Sequence, residues 1–221
     1  MRLDVAFCLM SLRAEILART AAGLMVLAIL ALIGTNVWGS LVVESHDPVA
    51  NTVSELAVGR GALIQDSGLV IYAAGLLILA VAISQIPGTR RLWRWGGSTS
   101  FMLMAAATAL IALRHEYGDG DSEAPELHML FVYALSLSLI LAPLSLHQEL
   151  QSWSRPLARA NLGFLFIWIA ASPGFFIVPD AYDGAYERAL LFVSNLWVAM
   201  VAYAIFFVSV DAKKPRAAPE P

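Results

Sequence analysis

The side chains able to do chemistry gather in three stretches: ESHDPVANTVSELAVG (44–59), RHEYGDGDSEAPELHM (114–129) and PDAYDGAYERALLFVSNLW (179–197). One reaction type they suit is acyl transfer or hydrolysis. His128 is the proton carrier, Ser54 the nucleophile, and Asp47, Asp119, Asp121 or Glu187 the group that orients the imidazole. Such a set is defined by geometry rather than chain order. No GxSxG turn supports it. A zinc site needs ligands at ~2.0–2.2 Å, and His46, Asp47, Asp121, His128 and Glu187 are the set available. HExxH and a His pair at i,i+4 are both absent, so no cofactor is predicted and a divalent metal such as zinc is the alternative. His115 and His128 flank one loop rather than facing each other across a bundle, which disfavours haem.

The same stretches also suit a structural clamp. Glu187 in the first turns of a helix is favoured by free backbone amides, whereas Arg188 stands against the dipole and seeks an acid. Glu55, Asp121 and Glu187 are its expected partners. Asn51 and Asp119 join Glu55 and Arg188 as structural or ligand-binding candidates, and Asn195, two turns below Glu187, extends a polar stripe inward. Removing one member of such a network strands a charge.

The elements that position these residues follow from composition. The chain has 221 residues, 59% of them hydrophobic and 14% charged, against ~25% charged in ordinary soluble domains. Six apolar segments, near 20–42, 67–86, 95–113, 128–146, 160–179 and 187–210, are long enough to cross ~30 Å of hydrocarbon. The predicted fold is all-α: a polytopic integral membrane protein, a bundle of six transmembrane helices with a short extracytoplasmic helix between helices 1 and 2. Asp47 caps that short helix and Pro48 takes its first position. Its end is expected near Gly59.

Eleven of the fourteen basic residues fall on one side: Arg2, Arg13 and Arg19 before helix 1, Arg90, Arg91 and Arg94 after helix 2, Arg155 and Arg159 after helix 4, and Lys213, Lys214 and Arg216 after helix 6. The positive-inside tendency then puts both termini in the cytoplasm and the acidic loops outside, in a cytoplasmic (inner) membrane. Residues 1–19 form a cytoplasmic segment, either an interfacial helix or an extension of helix 1. Residues 20–210 are the membrane domain, and 211–221 a disordered tail. Trp38, Trp93, Trp95 and Trp153 are expected at the interfaces. Gly75 and Gly163 are expected to permit close helix contact, and Pro173-Gly174 to interrupt helix 5. The implied partners are membrane lipids. A net charge of −3 without a basic tract excludes nucleic acid, while a protein partner or homo-oligomer stays open. Cys8 is the single cysteine and offers no disulfide.

DPVANTVSELAVG after helix 1, an acidic Gly-containing loop ending in ELH, and GAYERALLFVSNLW opening helix 6 together resemble the family catalogued as domain of unknown function number 998, over roughly residues 18 to 209. The resemblance implies a small bacterial or archaeal membrane protein of about six spans. Its motif positions fall on Asp47, Pro48, Ser54, Glu55, Leu56, Asp119 or Asp121, His128, Gly184, Glu187 and Arg188. The family's Phe-Pro before the loop Asp is replaced by Glu116-Tyr117-Gly118. No activity is implied. The functional expectation is an outward-facing polar site that binds, and hydrolyses or transfers, a lipid-like substrate; the alternative is a non-catalytic accessory, scaffold or lipid-binding protein.

Overall fold

Helix α1 (Arg2–Val42) runs unbroken for 41 residues, about 60 Å at ~1.5 Å per residue. It is followed by α2 (Ala62–Gln85), α3 (Ser98–Leu113), α4 (Ala124–Trp153), α5 (Arg155–Ala171) and α6 (Asp183–Asp211). The structure is a computed structural model. It describes residues 2–44, 46–57, 59–86, 89–113 and 124–211. Among these every regular element is helical. Asp119, Asp121, His115 and the tail lie outside the described residues.

Five helical stretches are long and apolar enough to cross a membrane: Leu12–Val42, Ala62–Gln85, Leu92–Leu113, Glu126–Trp153 and Asp180–Phe207. Their outer faces expose Leu27, Leu30, Val70, Leu77, Leu103 and Leu137. In water such surfaces would aggregate; in hydrocarbon they are the natural exterior. The chain is a multi-pass helical membrane protein. The segment expected as helix 5 is shorter: α5 has 17 residues and then tightens into a 3-10 turn over Ser172–Phe176. Pro173 has no N–H to continue the ladder and disfavours helical backbone at the residue before it. Tyr186 closes the break, its hydroxyl donating to the Ala171 carbonyl at 2.8 Å.

Each helix packs on its neighbours in chain order, and α6 returns to α1. The result is a ring around a core of Met25, Leu76, Leu79, Phe101, Met104, Leu146 and Ile205. Small residues set the closest approach, between α1 and α2. A Cβ on Gly75 would meet the Ala28 Cβ at 2.7 Å, and one on Gly68 would overlap Thr35. Gly163, expected to do the same, faces open space. Asn161 ties three helices together. Its Nδ2 donates to the Pro143 carbonyl on α4, and its Oδ1 accepts from the Trp197 indole on α6, both at 2.9 Å.

At the end of the ring away from residues 46–57, a π-helical stretch (Leu92–Gly97) leads into α3. Gly96 and Gly97 let it lie directly on Ser145 and Leu146 of α4. Of the tryptophans expected at interfaces, Trp38 and Trp95 are exposed, but Trp93 is only 1% exposed and packs edge-on against Trp153 at 4.6 Å. Its spacing suited a membrane belt; the close packing of glycines onto α4 turns it into the core.

Candidate functional site

Residues 46–57 enter the mouth of the ring as a plug, and the single short helix expected over 48–58 is not what they form. Asp47 does act as a cap, but of a turn: its Oδ1 accepts from Val49 N at 2.9 Å, and Asn51 Oδ1 returns a bond from Asp47 N at 2.8 Å. Side-chain bonds of this kind offer the backbone an alternative to helix. The chain then bends and makes a 3-10 turn over Ser54–Ala57, started by Thr52, whose Oγ1 accepts from Glu55 N. Val53, Leu56 and Ala57 are buried, with Leu56 seated against Gly39 of α1. Apolar burial turns the segment inward.

Arg188 holds this plug to α6. Its Nη1 donates to the carbonyls of Pro48 (2.9 Å), Asn51 (2.8 Å) and Gly184 (3.1 Å), and its Nε to Asn36 Oδ1 on α1 (3.2 Å). Its Nη2 donates to His46 Nε2 at 3.0 Å. Guanidinium has no acceptor, so His46 carries its own proton on Nδ1. The acids expected to pair with Arg188 act differently: Glu55 and Glu187 supply nearby negative charge, and the Glu187 carboxylate accepts from Val53 N in the plug. The first amides of α6 complete the junction, Gly184 N donating to Ala50 O and Ala185 N to Val49 O. Gly184 is obligatory, since a Cβ there would overlap the Asn51 carbonyl. The pKa of His46 is lowered, first by burial and then by the Arg188 charge, with Glu55 and Asp47 opposing.

The plug delivers Ser54 to His128. Their Oγ and Nε2 lie 3.3 Å apart, and His128, in the first turns of α4, is 4% exposed. Both border a cavity of about 890 Å³ running down into the ring between all six helices and walled by Leu32, Leu69, Leu139, Trp168 and Phe175. Asn195 and Glu187 border it too, whereas Asp47 is absorbed in its turn. At 3.3 Å the Ser54 and His128 pair stands just beyond the ~2.6–3.2 Å reach of direct proton transfer. Among the described residues no group of three or more His, Cys, Asp or Glu side chains could hold a metal ion, and the Nε2 of His46 is already occupied by Arg188.

A family model described as protein of unknown function (DUF998) matches residues 25–204. The chain belongs to the DUF998 family. No curated protein and no solved structure matches it. The Asp-Pro, Ser-Glu-Leu and Gly-x-x-Glu-Arg positions of the DUF998 resemblance meet in three dimensions: the first two form the plug and the third anchors it. Gln65 and Thr108 are among the residues of the cavity wall that sequence reasoning does not single out. Gln65 was assigned to a loop because α2 was expected to start at 67; it lies in the first turn of a helix that begins at Ala62. Its position four residues before the apolar run was the available signal. Thr108 carried none beyond being polar within a span.

Proposed function

We propose that this protein binds a lipid-like amphiphile in the cavity and transfers or hydrolyses its acyl group at Ser54. The observation that carries the reading is the 3.3 Å approach of Ser54 Oγ to His128 Nε2 at the rim of an apolar cavity. Apolar walls with a few convergent polar groups are what ligand sites look like. With Nδ1 protonated, His128 Nε2 accepts the Ser54 proton as the oxygen attacks the ester carbonyl, then returns that proton to the departing alkoxide. Water entering at the mouth, or another alcohol, resolves the acyl-serine by the reverse sequence. Glu187 and Arg188 act through the plug: they fix the backbone on either side of Thr52 and so set where Ser54 stands. In this reading α5 with its 3-10 turn is a sixth span. The distribution of basic residues favours cytoplasmic termini and an outward mouth in the inner membrane.

The test is fatty-acid release from a panel of acyl esters by purified protein, with Ser54→Ala and His128→Gln as variants. Both should keep the melting temperature and abolish release. Release that survives in both variants removes the reading. A second reading, a non-catalytic clamp, is favoured by the hydrogen bonds of Arg188, all of which bind the chain to itself. It gains if no ester is turned over by a well-folded protein.

A further inference from the structure

Among the described residues, the cavity wall holds uncharged hydrogen-bonding groups with no hydrogen-bond partner. Gln65 is 0% exposed, and neither its Oε1 nor its Nε2 has a partner. Thr108 is 2% exposed with its hydroxyl unpaired, and Asn195 is 5% exposed with Oδ1 unpaired although its Nδ2 donates to Leu191 O. The Nδ2 of Asn36 is unpaired as well, its Oδ1 being taken by Arg188. These four residues come from α2, α3, α6 and α1, and all border the same cavity. Buried polar atoms are nearly always partnered, and leaving one unpaired is costly. Five such atoms on four residues of one wall call for a common explanation.

Their chemistry says what that partner is. Two amide donors, two amide acceptors and one hydroxyl make a neutral set that matches a head with both carbonyl and hydroxyl groups. Among the described residues the charged ones bordering the cavity are Asp183, Glu187 and Arg188, and the guanidinium is committed to the plug. An anionic head would meet more negative charge than positive. The volume, about 890 Å³, lies within the range that encloses a single small ligand.

Resting on the reading of the cavity as an amphiphile site, we propose that its ligand is uncharged: one acyl chain on a head bearing an ester carbonyl and free hydroxyls, the chemistry of a monoacylglycerol. Gln65, Thr108 and Asn195 bind the head, and Leu32, Leu69 and Leu139 line the path of the chain. A site built to hydrogen-bond such a head discriminates strongly against ligands that leave its buried groups unpaired.

The test uses full-length Ser54→Ala protein in phosphatidylcholine nanodiscs, so that binding is read without turnover. Radiolabelled monooleoylglycerol should bind saturably, and oleate and oleoyl-lysophosphatidylglycerol, which keep the chain but carry charge, should compete at least tenfold less well. Adding Gln65→Leu or Thr108→Val should weaken binding tenfold or more. Thr108→Val changes almost no volume, so it keeps the test decisive if Gln65→Leu fails to fold. Anionic competitors that bind as well as the neutral one overturn the proposal. Unchanged affinity in a folded Thr108→Val protein overturns it too, and assigns the orphan groups to water. Neutral binding without any ester turnover leaves this inference standing and removes the acyl-transfer chemistry; turnover of an anionic ester without neutral binding does the opposite.

Discussion

Two polar regions border the cavity of this ring and differ in how far the protein satisfies them. At the mouth, Arg188 meets three carbonyls, an asparagine and a histidine. Elsewhere on the cavity wall, Gln65 and Thr108 meet no partner among the described residues. Asn36 belongs to both, with Oδ1 in the hub and Nδ2 unpaired. A polar group that the protein satisfies contributes to its folding; one that is buried and left over is a cost that only something absent from the chain can offset. On the reading proposed above, the hub is architecture and the wall is where a ligand would make its bonds.

Substitutions should separate the two. Arg188→Met strands the carbonyls of Pro48, Asn51 and Gly184, and we expect it to cost roughly 2–4 kcal/mol, read as a large fall in melting temperature in detergent. Arg188→Lys keeps the charge but cannot span the same acceptors, and should fall between. A wild-type melting temperature for Arg188→Met would break the comparison at the hub. Gly184→Ala drives a methyl into the Asn51 carbonyl; we expect a loss of about 1–3 kcal/mol together with faster proteolysis of the plug. At the wall the sign should reverse. Thr108→Val removes an unpaired hydroxyl, so in ligand-free protein it should leave stability unchanged or raise it by up to about 1 kcal/mol. A clear loss there would mean the hydroxyl is satisfied after all.

The smallest effect concerns pH. The pKa of His46 is lowered, chiefly by burial and then by Arg188, so the folded protein prefers the neutral ring and the unfolded chain binds the proton more readily. Stability from this group is present above the ordinary histidine pKa of ~6.5 and is lost as pH falls through the lower folded value. Melting temperature should drop as pH falls below about 6.5, and His46→Gln should flatten that slope. An equal slope in the variant contradicts the assignment.

Much of this was legible in the sequence. Length and apolarity marked the helices, because hydrocarbon demands continuous internal hydrogen bonding and leaves few alternatives. The polar stretch at 44–59 announced that something happens at the mouth. What the sequence concealed was direction. Thr52 and Asp47 are ordinary caps, yet they fold a plug rather than a helix, because Leu56 gains more from the interior than the backbone loses by leaving helical geometry. Trp93 fits an interfacial belt until Gly96 and Gly97 bring its turn against α4. Gln65 was hidden by the start of α2, five residues earlier than apolarity alone indicates. Residue types alone suggested pairing Ser54 with His128, 74 residues further on, but no local pattern encodes their approach.

The most direct measurement is an experimental density map of the Ser54→Ala protein purified from its own membrane. The account predicts elongated density in the cavity, with its head within hydrogen-bond distance of Gln65 and Thr108 and close to residue 54. A cavity that has closed, or that holds only water against those two side chains, would contradict it.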